Sequence, residues 1–205
     1  AASMGPESVQ NRCLQFLFRL RKTQNCNTIR RKTVPAKVSN LRNGSMKILL
    51  IRHAIAVGRE EFQGSDLDRP LTDKGKKRAR RAFAGLERIY PGIQKIFTSP
   101  AVRAHHSARL LKRQYPEAEV HMSDLLLPEA RDDDSILSLI QSHMAETIAI
   151  VGHEPNLTRL AGTMLGSHSL PFELSKAGVL VIETDETGSR MESLLTPRIL
   201  RRVYG

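Results

Sequence analysis

Cysteine is nearly absent from this chain: Cys13 and Cys26 are the only two in 205 residues. Two cysteines cannot build a disulfide framework, and no cysteine–histidine spacing of a zinc site is present. Apolar runs are short as well. Nowhere do about 18 apolar residues follow one another, which excludes a membrane-spanning helix. Acidic residues are missing from one end. Residues 1–45 hold nine basic residues against the single acid Glu7, whereas the remaining 160 hold 23 basic and 20 acidic. The formal net charge of +11 therefore belongs mostly to an N-terminal segment, with +8 there and +3 in the body.

That segment is rich in Arg, Asn, Ser and Thr and carries one short apolar patch, Cys13 to Phe18. The patch is shorter than the roughly 7–15 apolar residues of a secretory signal, and no clean small-residue cleavage site follows it. An Arg-rich, acid-poor stretch fits an organelle transit peptide, or a basic arm for RNA or a membrane surface. It fits equally a disordered tail, which is the default expectation. Its only aromatics are Phe16 and Phe18, so attraction to nucleic acid would be nonspecific and no specific nucleic-acid partner is expected. The chain thus divides into a basic extension, 1–45, and a domain, 46–205. With no clear export signal, a cytoplasmic location is expected.

In the body, strand and helix patterns alternate. Lys47 to Ile51 is a short continuous apolar run, as in a strand buried on both faces. Thr72 can cap a helix reaching about Tyr90, with Ala79, Ala82, Phe83, Leu86 and Ile89 at helical spacing and a Lys/Arg-rich opposite face. Lys95 to Thr98 reads as a second strand. Ser99-Pro100 then caps and starts a helix to about Gln114. Glu119 to Met122 is a short strand, and Asp132-Asp133-Asp134 open another helix by capping rather than by holding a metal. Thr147 to Val151 repeats the buried-strand pattern before a helix to about Leu165. Strands close the chain at Val179–Thr184 and Arg190–Leu195. This alternation predicts an α/β fold: a three-layer sandwich whose central sheet is mostly parallel.

Ligands of open α/β sheets bind outside the carboxyl ends of the strands. Here those ends carry Arg52-His53, Thr98-Ser99-Pro100 and Gly152-His153, with Arg103 one turn into the helix after the second. Two arginines, two histidines and a helix start converge, and guanidinium forks match phosphate oxygens. A phosphate site is expected. Arg-His or Gly-His alone is a weak signal; their joint occurrence at like strand ends is much stronger. Gly58 to Asp68 is polar and is either a flap over the site or a plain surface loop. The basic stripe Lys74, Lys76, Lys77, Arg78, Arg80 and Arg81 is either a solvated helix face or a guide for an acidic substrate. His105 and His106 are expected to be partly exposed, and His121, His143 and His168 to lie at the surface.

Leu50-Ile51-Arg52-His53-Ala54 resembles the Arg-His-Gly signature of the histidine phosphatase (phosphoglycerate mutase-like) superfamily, with Ala54 in place of the glycine. Arg69 to Gly75, Ser99 to Ala104, Leu127-Pro128-Glu129 and Val151 to Pro155 follow in that family's order. The short body, ending in Leu195 to Leu200, is similar to the SixA-type phosphohistidine phosphatase branch. The resemblance covers Met46 to about Leu200. It implies a phosphoglycerate mutase-like fold and a phosphatase in which His53 is the nucleophile, forming a phosphohistidine intermediate that water hydrolyses. Arg52, Arg103 and His153 would hold the phosphoryl group, and neighbouring arginines would keep His53 uncharged. Neither metal nor cofactor is implied. For the acid that protonates a leaving group, Glu129 is preferred and Glu154 is the alternative, its competing role being a helix cap. The implied substrate is protein phosphohistidine; a small phosphate monoester, or a non-catalytic phosphate-binding regulatory role, is the alternative.

Overall fold

The computed structural model describes residues 44–143, 145–167 and 170–205. Expectations placed on residues 1–43 and on His168 fall outside these. The elements run β1 (Met46–Arg52), α1 (Asp73–Ile89), β2 (Lys95–Thr98), α2 (Val102–Lys112), β3 (Glu119–Met122) and α3 (Asp133–Ser142). They continue as β4 (Thr147–Gly152), α4 (Asn156–Met164), β5 (Val179–Asp185), β6 (Gly188–Leu195) and α5 (Pro197–Tyr204).

Local chemistry accounts for most element boundaries. Thr72 Oγ1 accepts the Gly75 N–H at 2.9 Å and starts α1, a cap generally contributing about 1 kcal/mol. Asp132 does the same for α3, accepting the Ser135 N–H at 2.9 Å, so the aspartate run caps a helix as its sequence suggested. The start of α2 differs from expectation. Pro100 precedes the helix, and Ser99 Oγ instead takes the Ala101 N–H at 3.2 Å in the turn leading to Val102. Helix α5 was not anticipated, although Thr196 as N-cap and Pro197 in its first turn both mark a helix start.

The six strands form one sheet in the order β3-β2-β4-β1-β5-β6. The expected mostly parallel sheet is corrected here to a mixed one. Strands β1 to β4 pair in parallel, whereas β5 is antiparallel to β1 and β6 antiparallel to β5. The physical cause lies in two connections. A turn of two residues, Glu186 and Thr187, joins β5 to β6, and so short a turn permits only a hairpin. Ahead of β5, Leu174 and Ala177 meet the end of β1: Arg52 Nη1 donates to Leu174 O at 2.7 Å, and Ala177 N–H donates to Arg52 O at 3.0 Å. Strand β5 therefore begins at the edge where β1 finishes.

Alternate residues of β1 enter two core clusters. Leu49 and Ile51 join Ala79, Phe83 and Leu86 of α1, Ala108 and Leu111 of α2, and Leu200 of α5. Ile48 and Leu50 join Ile136 and Ile140 of α3 and Leu157 and Leu160 of α4. Both faces of the central strand are thus covered, which explains its continuous apolar run, and each such side chain stabilises the fold by about 1.5–3 kcal/mol. Helices α1 and α5 approach so closely that a Cβ on Gly85 would lie 1.9 Å from the Leu200 carbonyl oxygen. His121 and His143 are not simple surface residues. Their rings lie 5.3 and 5.0 Å from that of Phe97, on the face that β2 turns toward α3.

Candidate active site

The strand order decides what meets. β4 lies between β1 and β2, in register Arg52 with Gly152 and Thr98 with Val151. The residues just past those pairs therefore share one edge: His53 from β1, His153 from β4 and Ser99 from β2. The His53 N–H donates to Gly152 O at 3.0 Å, and the Ser99 N–H to Val151 O at 3.1 Å, extending the ladder to these positions. The rings of His53 and His153 have centroids 5.1 Å apart. Both residues are buried, as is Arg103 at 3% exposure.

His53 Nδ1 is 2.8 Å from the carbonyl oxygen of Ala54. A carbonyl only accepts, so Nδ1 carries the proton and Nε2 keeps its lone pair. The N–H of Ala54 is itself held by Ser107 Oγ at 2.9 Å, and Ser107 donates to the Arg103 carbonyl at 2.7 Å. This hydroxyl, which drew no attention in the sequence, ties the turn after β1 to α2. Burial pushes the His53 pKa down from 6.5 to about 3, and Arg103, Arg52 and Lys176 push in the same direction. The expected neutrality is therefore present, with loss of solvent as its larger cause and the arginines second. His153 is likewise held neutral by burial, then by His53 and Arg103; its Nε2 is 3.0 Å from Ser99 Oγ.

Arg103 has a partner that the sequence reading did not assign. Its Nη2 lies 2.8 Å from Asp66 Oδ2, and its Nη1 donates to the Asp66 carbonyl at 2.5 Å. Asp66 stands in a short 3₁₀ turn, Asp66–Asp68, and also takes Arg69 Nη2 at 3.0 Å. Arg103 and Arg69 hold its carboxyl below the ordinary aspartate range in spite of partial burial. The polar 58–68 loop thus reaches the site through Asp66; the available signal was its place three residues before Arg69-Pro70-Leu71-Thr72. Arg52 Nε, Arg103 Nε and His153 Nδ1 are buried and make no hydrogen bond to a described residue. Buried polar atoms are normally satisfied, so two unpartnered guanidinium N–H donors and an unpartnered ring nitrogen on these residues suit an oxyanion.

The two carboxylates considered as acids fare differently. Glu154 Oε1 takes the Leu174 N–H at 3.1 Å and Oε2 the Thr158 N–H at 3.4 Å, so both oxygens are engaged in fixing α4 and the loop before β5. Glu129 is exposed, and its side chain makes no hydrogen bond or ion pair with a described residue. Its backbone is nevertheless fixed, because Asn156 Nδ2 donates to the carbonyls of Leu127, Pro128 and Ala130 at 3.0–3.1 Å. The structure therefore brings together His53, His153, Arg103 and Arg52, and places Glu129 on a pinned loop without contact to them. No group of three or more described His, Cys, Asp or Glu side chains is arranged to hold a metal ion. No helix among the described residues is long and apolar enough to cross a membrane.

Comparison with known proteins agrees with this geometry. The model of the histidine phosphatase superfamily (branch 1) matches residues 48–127, from β1 to the loop of Glu129. An uncharacterised protein of Picosynechococcus sp. is 28% identical over 138 residues, 66% of this chain and 83% of its own length. A putative phosphohistidine phosphatase SixA from Agrobacterium tumefaciens has a similar fold, with a TM-score of 0.61 and 24% identity, over 74% of this chain and 98% of that one. So does a phosphoserine phosphatase from Entamoeba histolytica solved with phosphoserine, at a TM-score of 0.60 and 16% identity over 76% of this chain and 99% of that one. The family match lies across the strand end that carries Arg52 and His53, and this likeness to the histidine phosphatase superfamily supports a phosphatase.

Proposed function

We propose that the domain 46–205, with α/β layers on both faces of the sheet, hydrolyses phosphohistidine on proteins through a covalent intermediate on His53. The observation that carries this reading is the buried, neutral His53 whose Nδ1–H is taken by Ala54, leaving Nε2 free to attack phosphorus. In the first step the Nε2 lone pair forms a bond to phosphorus while the bond to the leaving nitrogen breaks. In the second, water attacks the phosphohistidine, releasing phosphate and returning the electron pair to Nε2. Arg52, Arg103 and His153 hold the phosphoryl oxygens, and their guanidinium and ring N–H groups stabilise the charge that develops on them. The two arginines supply the charge that a metal ion supplies in other phosphoryl-transfer sites.

The choice of leaving group rests on the scarcity of a positioned acid. An imidazole leaves near its own pKa of about 6.5 and needs little protonation, whereas an alkoxide needs a donor. Glu154 is engaged by two backbone N–H groups and Asp66 by arginines. Glu129 is the remaining candidate for donating to an alkoxide. Hydrolysis of a small phosphate monoester is the second reading, favoured by the fixed backbone of the Glu129 loop. Metal-free assays in EDTA on a phosphohistidine protein, an aryl phosphate and a sugar phosphate separate the two. We expect phosphohistidine to be preferred and Glu129→Gln to slow it less than about threefold. A sugar phosphate preference together with a large Glu129→Gln defect would favour the monoester. Turnover of none of the three, with phosphate still bound, would favour a regulatory phosphate-binding role.

A further inference from the structure

A cavity of about 610 Å³ is lined in part by Ala54, the residue whose carbonyl holds the His53 ring. Four cations line it: Arg78 of α1, Lys176 of the loop before β5, and Arg198 and Arg201 of α5. No Asp or Glu does. None of the four makes an ion pair with a described residue, although α1 elsewhere pairs Lys76 with Asp73 and β6 pairs Arg190 with Glu183 and Asp185. Their convergence is set by backbone. The close approach of Gly85 to Leu200 fixes α5 against α1, and the Ala177 N–H, bonded to the carbonyls of Arg52 and His53, fixes the loop of Lys176.

Arg78, Lys176 and Arg198 are exposed and Arg201 half-buried, and four like charges around one concavity without a counter-charge attract an anion there. We propose that this cavity takes a second anionic group of the substrate, a carboxylate or phosphate carried beside the phosphoryl group that His53 receives. The inference rests on the phosphatase reading and narrows its substrate class to molecules with two separated anionic groups. Two sources supply that chemistry: acidic side chains flanking a phosphorylated residue, or a small phosphorylated acid. Lys176 links the two sites. It is one of the cations that depress His53, and its own pKa is lowered by burial and then by Arg52, Arg69 and Arg103.

The test uses the full chain, an Arg198→Gln/Arg201→Gln variant, and an Arg80→Gln/Arg81→Gln control that removes the same charge from α1 outside the cavity. Binding is read with an unphosphorylated Glu-rich peptide and with a small tricarboxylate, and turnover with phosphohistidine peptides bearing acidic or amide flanks. The cavity variant should bind at least one of the two probes about tenfold more weakly than wild type, while the control stays within about twofold. It should also lose the preference for acidic over amide flanks, mainly through KM, if the peptide is the probe that responds. A response to the tricarboxylate alone assigns a small acid as the source. Equal weakening in cavity variant and control would show only a general basic field, the behaviour a nucleic acid would also report, and would overturn the proposal. Unchanged binding in the cavity variant would overturn it too. Aryl phosphate and the amide-flanked phosphohistidine peptide, which lack a second anionic group, read the catalytic centre separately: failure of both to turn over in wild type would sink the phosphatase reading, and the binding result would stand apart from it.

Discussion

At the scale of single residues, the proposed chemistry depends on keeping two imidazoles neutral inside the protein. The folded-state pKa of His53 is about 3, against about 6.5 in an unfolded chain. Between these values the unfolded chain binds a proton that the folded chain refuses. Stability from this source is complete above about pH 6.5 and is lost as pH falls, by up to about 1.4 kcal/mol per unit for each such histidine. Urea unfolding from pH 7 to pH 5 should therefore cost wild type about 2 kcal/mol more than it costs His53→Gln. An equal loss in both proteins would contradict the buried neutral state.

Asp66 supports a second residue-scale prediction. Arg103 is almost wholly buried, and removing the partner of a buried charge generally costs about 3 kcal/mol. Asp66→Ala should lower stability by about that amount, and inorganic phosphate should raise its melting temperature more than it raises that of wild type, because the anion replaces the carboxylate. An identical phosphate response in the two proteins would show that Asp66 and the ligand do not share Arg103. Arg52, His53, Arg103 and His153 stand out as candidates in the sequence because they end a strand, directly follow one or lie in the first turn of the next helix. Asp66 does not, because its role is to meet Arg103, 37 positions along the chain, and only the fold sets that distance.

At the scale of elements, the site is held by a few close backbone approaches. A Cβ on Gly75, in the first turn of α1, would lie 2.1 Å from the carbonyl oxygen of Ile55, two residues after His53. Gly75→Ala must push α1 from that strand end. It should destabilise the domain by more than about 2 kcal/mol and cut kcat/KM as well, with a far smaller effect from Ala79→Gly in calorimetry relative to activity. Normal activity in Gly75→Ala would show that the Ile55 contact does not position His53. The glycine was visible in the Arg69 to Gly75 motif, but its reason was not, since the obstacle comes from another segment. Most elements were likewise visible through caps and periodicity. The direction of β5 was not, because apolar alternation is the same in either direction and only the Arg52–Leu174 and Ala177–His53 contacts reveal where the strand begins.

At the scale of the whole molecule, charge and catalysis are separable along the sequence. The basic excess of residues 1–45 has no place in the chemistry assigned to the strand ends. A chain beginning at Met46 should hydrolyse phosphohistidine with kcat/KM within about twofold of the full chain, while losing most salt-dependent retention on polyanions. A large fall in kcat/KM would place part of the N-terminal segment in the active site. The most direct test of the central claim is to trap the intermediate. Wild type and His53→Ala are mixed in EDTA with a substrate carrying a labelled phosphoryl group, quenched in alkali within the first turnover, and mapped for label. The account predicts an acid-labile, base-stable phosphoryl group on His53 in wild type and none in His53→Ala. Turnover by wild type with no label on His53, or label that persists in His53→Ala, would contradict it.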